Sequence, residues 1–286
     1  CNGEDFNLIA EQDKFGFHVS TVLCKNCGLL QTNPCLREKD YIDFYQNHYR
    51  KLYAGTLALP EEYFTNKLSF GRKQFNWIVK HLDLEKQSLV LEVGSGAGAT
   101  LYNFCKNGYK TLGIDYDREC LEAGKTRYGK DSLWNVYEGD LHSITLEEKP
   151  KLIIYSHVLE HIFDINRELT KVAEILSEDG YLFIEVPGVK NVKTWYSGNF
   201  LGYLENAHLY HFTLRTLTNI MHKHGFVLVD GDEYIRAIYR KSNTNQEIVS
   251  DFENANNFVE DCERSRFILS VKKQLKFLVK KLGLMK

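Results

Sequence analysis

The sequence predicts an α/β fold: a parallel sheet held between helices and closed by an antiparallel hairpin, with a small N-terminal β-ribbon and a C-terminal helical tail. Three observations predict it. Short apolar runs alternate with stretches of helical periodicity: SLVLEVG (88–94), KTLGID (110–115), LWNVYEGD (133–140), KLIIYS (151–156) and GYLFIEVP (180–187). Continuous apolar strands separated by helices form parallel sheets buried on both faces. The run GFVLVDGDEYIRAIYRK (225–241) holds two strands with a turn around Gly231 and no intervening helix, so that pair is antiparallel. Finally, LVLEVGSGAGATL (89–101) places three glycines at alternate positions where the first of these strands gives way to a helix, the site of a ligand loop in open α/β sheets.

The remaining elements follow in chain order. FGFHVSTVLCKNCGLLQTNP (15–34) alternates like a hairpin turning at CKNCG. EKDYIDFYQNHYRKLY (38–53) is polar, aromatic and helical in pattern. In 61–82, Phe64, Leu68, Phe75, Ile78, Val79 and Leu82 recur at helical spacing, so this helix covers the sheet. Further helices are expected after Gly98, from Asp117, over 165–176, over 214–224 and through the tail from 246. The expected organisation is a ribbon at 1–37, a helical linker and cover at 38–87, a sheet domain at 88–241 with an insertion at 188–212, and a basic tail at 242–286.

Composition narrows the function classes. The 286 residues are 43% hydrophobic, enough for one large domain or an ordinary domain with an appendage. The net charge is −2, so no global basic field points to nucleic acid. No run of about 18 apolar residues predicts a membrane-spanning helix, and no secretory signal is visible. The seven cysteines are odd in number and unevenly spaced, which argues for reduced thiols and a cytoplasmic location rather than a disulfide framework. The chain opens on Cys1 rather than Met, and is expected to be a fragment.

The glycine loop by itself fits two cofactor classes, because Gly94-Ser95-Gly96-Ala97-Gly98-Ala99 also satisfies the dinucleotide pattern G-x-G-x-x-[G/A]. Nearby acids distinguish them. Glu92 lies two residues before the first glycine, where a carboxylate opposes an anionic pyrophosphate but suits a cationic amino group. S-adenosylmethionine carries a methionyl ammonium and no phosphate. Asp115, closing the second of these strands, can accept both hydroxyls of a ribose, as it would in either class. Asp140, closing the third, is placed to meet an adenine amino group.

LEVGSGAG, GIDYD, EGDL and IIYSHVLEHIFD resemble, in order and spacing, the signature segments of class I S-adenosylmethionine-dependent methyltransferases, and the terminal hairpin matches their antiparallel last strand. The likeness covers roughly 70–241. It implies a Rossmann-like seven-stranded sheet and places the methionyl part of the cofactor at Glu92, Gly94, Ser95, Gly96 and Gly98. Ribose and adenine would meet Asp115 and Tyr116, and the adenine edge Asp140 and Leu141. Ser156 and His157 would lie beside the sulfonium. S-adenosylhomocysteine would be the product.

Cys24 and Cys27 form a knuckle in which both thiolates reach one metal, with Gly28 permitting the turn. Cys1 is the third candidate ligand, and His18 or Cys35 could complete the set. The segment resembles the zinc-ribbon module of bacterial sugar methyltransferases; by that likeness Cys1 is the second member of a CxxC pair whose first member precedes the chain. A zinc ion is therefore expected in the intact protein.

Methyl transfer to a hydroxyl needs a general base, and histidine suits neutral pH. His208 is the first candidate, with His157 and His211 next, whereas His161 is expected to pack. Two or more of these histidines with Glu160 or Glu205 could instead bind a divalent metal that orients a diol. The insertion carries Trp195, Tyr196, Phe200, Tyr203 and Tyr210, which suit an aromatic lid over a sugar. In the tail, Leu275, Leu278, Val279 and Leu282 form one face among Lys272, Lys273, Lys276, Lys280 and Lys281. Such a helix either packs on its own domain or a dimer mate, or contacts the inner membrane surface.

Together these readings predict methylation of a hydroxyl on a sugar, as a nucleotide-sugar or surface-polysaccharide intermediate. Sugar C-methyltransferases with this ribbon carry a further C-terminal domain, so oxygen is expected over carbon. The alternatives are a sugar C-methyltransferase, a metal-assisted O-methyltransferase, an NAD-dependent oxidoreductase and a non-catalytic S-adenosylmethionine-binding protein.

Overall fold

The computed structural model describes residues 1, 3–54, 59–243 and 247–281, without the side chains of 46, 54 and 268–281. The chain begins with β1 (Phe6–Ala10), β2 (Thr21–Cys24) and β3 (Leu30–Thr32), followed by helices α1 (Glu38–Asn47), α2 (Tyr49–Ala54) and α3 (Glu61–His81). Then come β4 (Leu89–Val93), α4 (Ala99–Cys105), β5 (Lys110–Asp115), α5 (Arg118–Tyr128), β6 (Trp134–Glu138), β7 (Leu152–Ser156), α6 (Ile165–Ile175) and β8 (Tyr181–Glu185). The insertion forms α7 (Val192–Trp195), α8 (Phe200–Tyr203) and β9 (Tyr210–His211). The chain continues through α9 (Leu214–Lys223), β10 (Phe226–Gly231), β11 (Arg236–Lys241) and α10 (Phe252–Lys281).

The chain divides into two compact units. The larger comprises 36–186 and 217–248 and contains the seven-stranded sheet, in the order β10-β11-β8-β7-β4-β5-β6. β8, β7, β4, β5 and β6 are parallel, and β11 runs antiparallel to both β8 and β10. This is the sheet the sequence predicts. Every residue of β4 is buried, as a central parallel strand requires. Phe75, Ile78, Leu101, Phe104, Trp134, Ile154 and Phe183 belong to one core. α3 approaches α4 closely because Gly71 lacks a side chain: a Cβ there would lie 2.7 Å from Thr100 Cα. The β10–β11 turn occupies residues 232–235, just beyond the expected position at Gly231.

The smaller unit comprises 1–35, 187–216 and 249–286. Its antiparallel sheet has the order β1-β2-β3-β9, so the ribbon hairpin is present and the insertion adds a strand to it. This grouping differs from the sequence boundaries. Segments distant in sequence share one core, in which Leu23 and Leu30 pack with Val189, Phe200, Tyr203, Ala255 and Val259. The aromatic residues of the insertion are not all open to solvent: Phe200 and Tyr203 are 2% and 1% exposed and pack in this core. Burying both rings removes more apolar area from water than an open loop could. Trp195, in contrast, is exposed.

None of the described helices is long and apolar enough to cross a membrane. The backbone of α10 extends through most of the tail, but the side chains of the proposed basic face lie outside the described residues.

Candidate cofactor site and histidine cluster

In the larger unit the expected cofactor residues converge at the carboxyl ends of β4, β5, β6 and β7. β4 pairs with β5 on one side and β7 on the other, so the chain reverses its direction of sheet growth there. Such a switch point opens a crevice outside the strand ends. The loop after β4 enters it with Gly94, Gly96 and Gly98 all at positive φ. Two of these glycines are required by space as well as by conformation. A Cβ on Gly94 would lie 2.3 Å from Val158 Cγ2, and one on Gly98 would lie 2.6 Å from Trp134 Cζ2. Trp134 Nε1 also donates to the Gly98 carbonyl at 3.1 Å.

Glu92 is 4% exposed, and its Oε2 is buried without a hydrogen-bond partner. Burial raises its pKa to about 8, against the lowering effects of Thr100, Lys67 and the Leu101 N–H. An orphaned carboxylate oxygen at this position fits a cation and repels a phosphate. Asp115 accepts from the Gly96 N–H at 2.6 Å through Oδ2 and from the Asp117 N–H at 2.7 Å through Oδ1. Burial raises the Asp115 pKa against these bonds. The second lone pair on each oxygen stays available to hydroxyl donors. Tyr116 Oη donates to Asp140 Oδ2 at 2.7 Å. Asp140 Oδ1 accepts from the backbone N–H groups of His142 and Ser143. Burial opposes ionisation of Asp140, but Tyr116 and Ser143 outweigh it and hold its pKa low. Leu141 is fully buried beside it in sequence, and the Ser95 hydroxyl is buried without a partner.

The tip of β7 carries Ser156 and His157. Ser156 Oγ accepts from Gln74 Nε2 at 2.7 Å. His157 has φ +57, a strained conformation for a residue other than glycine, and its N–H is held by the Glu185 carbonyl at 2.7 Å. Its side chain is half exposed, and Nδ1 lies 3.8 Å from Glu160 Oε1. Desolvation opposes the charged imidazole, but Glu160 and Glu185 outweigh it and raise the pKa. Glu160 is 1% exposed and neither of its oxygens accepts a hydrogen bond among the described residues. His161 Nε2 is 3.9 Å from the same Oε1, and the His161 side chain is buried.

Three groups at this site escaped sequence reasoning. On α3, Gln74 is buried and joins Thr100, Ser156 and Glu185 by hydrogen bonds. On α1 and α2, Tyr45 and Tyr49 stack at 4.4 Å between ring centroids, and both meet the His161 ring edge-on. Burial, then the neighbouring Tyr49, Tyr41, Asp115 and Glu160, hold the Tyr45 phenol protonated. Arg50 pairs with Asp117 at 3.0 Å and with Glu119. The signals were present: Tyr41, Tyr45, Tyr49 and Tyr53 recur every four residues, and Gln74 interrupts an apolar face.

The smaller unit holds the other candidates. The Sγ atoms of Cys1, Cys24 and Cys27 all lie within 4.8 Å of one another, and Cys1 and Cys24 are 3.4 Å apart. The Gly28 N–H donates to the Cys24 carbonyl, closing the knuckle. Neither His18 nor Cys35 joins this group among the described residues. His208 Nε2 lies 3.5 Å from Glu205 Oε2, and Glu205 also pairs with Lys14. His211 lies on β9, 1% exposed, with its ring 5.8 Å from that of His208.

A family model described as a methyltransferase domain matches residues 66–230. The C-methyltransferase NovU of Streptomyces niveus is 25% identical over 230 residues, covering 78% of this chain and 51% of that protein. The uncharacterized methyltransferase YcgJ of Bacillus subtilis is 23% identical over 123 residues, 42% of this chain and 49% of that protein. The chain thus spans about half the length of these curated relatives. Among solved structures, the 1,6-didemethyltoxoflavin-N1-methyltransferase of Burkholderia thailandensis, with bound 1,6-didemethyltoxoflavin and S-adenosylhomocysteine, superposes with a TM-score of 0.53. It is 14% identical over 75% of this chain and 96% of that one, a likeness of fold.

Proposed function

This chain belongs to the methyltransferase-domain family, and from that premise we propose that it is an S-adenosylmethionine-dependent methyltransferase whose acceptor is a hydroxyl of a sugar, as a nucleotide-sugar or polysaccharide intermediate. The observation that carries the cofactor reading is the buried, unpartnered Glu92 Oε2 at the foot of the glycine loop. An ammonium favours the ionised carboxylate and satisfies that oxygen, whereas the pyrophosphate of a nicotinamide dinucleotide would oppose its ionisation.

When bound, the cofactor supplies a methyl group on a positively charged sulfur. The chain then has to hold the cofactor, align the acceptor and receive a proton. Glu92 would hold the ammonium, Asp115 the ribose hydroxyls, and Asp140 with Tyr116 the adenine edge. His157 is the base we favour, because it stands in the same compact unit as the glycine loop and is flanked by Glu160 and Glu185. His157 would take the hydroxyl proton as the acceptor oxygen receives the methyl group, and Glu160 would stabilise the resulting imidazolium. His208, with Glu205 beside it, is the second candidate and His211 the third.

A carbon acceptor is the second reading, supported by the likeness to NovU over 78% of the chain. One experiment separates the readings. The enzyme is incubated with S-adenosylmethionine carrying a 13C methyl group and an extract containing nucleotide-sugars and glycans, and the product is read by NMR. An O-methyl resonance supports the hydroxyl reading, and a C-methyl resonance moves the assignment to carbon. Binding of a nicotinamide dinucleotide without binding of S-adenosylmethionine would sink both. Loss of turnover with EDTA, restored by a divalent ion, would favour metal assistance at the histidines and Glu160.

We further propose that Cys1, Cys24 and Cys27 are ligands of a structural zinc ion. Three converging thiols match three of the four positions of such a site.

A further inference from the structure

We propose that Lys67 recognises the carboxylate of the cofactor's amino-acid end, so that Lys67 and Glu92 together grip a zwitterion. The proposal rests on the S-adenosylmethionine reading above and adds to it a residue that neither motif nor resemblance marks.

The geometry starts from one face of α3. Tyr63, Lys67, Phe70 and Gln74 are spaced four, three and four residues apart, which aligns them along a helix. Each neighbour of Lys67 in this row touches the crevice. Tyr63 Oη is the atom nearest the position of a Cβ on Gly96, at 3.7 Å. The Phe70 ring lies 6.1 Å from the His157 imidazole. Gln74 binds Ser156 and, through Thr100, reaches the start of α4. Lys67 sits within this row, its Nζ 5.8 Å from the centroid of the Tyr63 ring.

Charge supplies the second argument. Lys67 forms no ion pair among the described residues. Its ammonium nevertheless favours the ionised form of Glu92 and opposes protonation of His157, so it lies within electrostatic reach of both. A cation beside Tyr63, whose hydroxyl reaches the glycine loop, and a buried carboxyl with an unpartnered oxygen at the foot of that loop are the complement of a ligand carrying both charges. An α-amino-acid group is such a ligand: Glu92 meets its ammonium and Lys67 its carboxylate.

The test compares two ligands by calorimetry on the full chain. S-adenosylhomocysteine carries both charges; its decarboxylated analogue, S-adenosyl-3-thiopropylamine, keeps the ammonium alone. The wild type should prefer the former by about tenfold, the scale of one charge-assisted contact in a partly exposed site. Lys67→Met should erase that preference by weakening S-adenosylhomocysteine alone, and Lys67→Arg should restore most of it. Equal weakening of both ligands, or a change confined to the acceptor KM, overturns the proposal. If the wild type binds neither ligand, the S-adenosylmethionine reading itself falls and takes this inference with it.

Discussion

Gln74 Nε2 donates to Glu185 Oε2 at 2.6 Å, and the same amide nitrogen donates to Ser156 while its oxygen accepts from Thr100 at 2.9 Å. One side chain, 3% exposed, therefore ties helix α3 to the start of α4 and to the tips of β7 and β8. Replacing it with leucine keeps the volume but leaves these partners without their bonds. We expect Gln74→Leu to cost about 1–3 kcal/mol, the penalty of stranding buried polar groups. The urea midpoint should fall with no change in m-value.

Glu92 yields a pH prediction. Its pKa of about 8 in the unliganded protein stands above the ordinary value of 4.5, so the folded state holds a proton that the unfolded chain has lost. That contribution to stability is fully present below about 4.5 and is lost as pH rises through about 8. Glu92→Gln should therefore raise the Tm of the unliganded protein at pH 9 and leave it nearly unchanged at pH 5. Ligand binding runs the other way. An ammonium selects the ionised carboxylate, so S-adenosylhomocysteine should bind the wild type more tightly as pH rises towards about 8 and release a proton on binding. Calorimetry in buffers of different ionisation enthalpy reads that proton, and Glu92→Gln should abolish its release.

The His157–Glu160 pair predicts the acid limb of the rate profile. The base must be neutral to accept a proton, so activity should rise with pH through the raised His157 pKa. Glu160→Gln removes a flanking charge and should move that limb to lower pH. His157→Asn should lower kcat by about 10²–10⁴-fold while S-adenosylhomocysteine affinity, measured by calorimetry, stays within a few-fold. A full loss of activity in His208→Asn, with His157→Asn unaffected, would transfer the role to His208.

The cysteine cluster predicts a metal-dependent fold of the smaller unit. Protein prepared with zinc should carry about one equivalent by elemental analysis, and a chelator should lower its Tm. Cys24→Ser should abolish the retained zinc. Unchanged metal content in that variant would assign the ion elsewhere.

Much of this molecule was legible in the chain. The strands β4 to β8 were read almost to the residue, because a central parallel strand must be apolar on both faces and its pattern is local. The glycine loop, Glu92, Asp115 and Asp140 were legible for a related reason: each lies near or just beyond the carboxyl end of a strand, and the ends of successive parallel strands meet at one edge of the sheet whatever the helices do. The burial of aromatics in the insertion was not legible, because it is decided by partners far away in sequence. Phe200 and Tyr203 look like loop aromatics until Leu23, Leu30 and Ala255 are brought around them.

The sequence by itself determined the strand and helix order, the antiparallel closing strand and the set of acids around a glycine loop, since these depend on short-range pattern and on topology. Only the tertiary structure decided that Gln74 joins two strand tips to a helix, that Glu160 and Glu185 flank His157, and that the insertion and α10 complete the ribbon's core. The physical reason is one of range. Periodicity reports which face of an element is apolar, whereas the pKa of a carboxylate and the fate of an aromatic ring depend on what packs against that face, and those contacts span up to some 230 residues of chain.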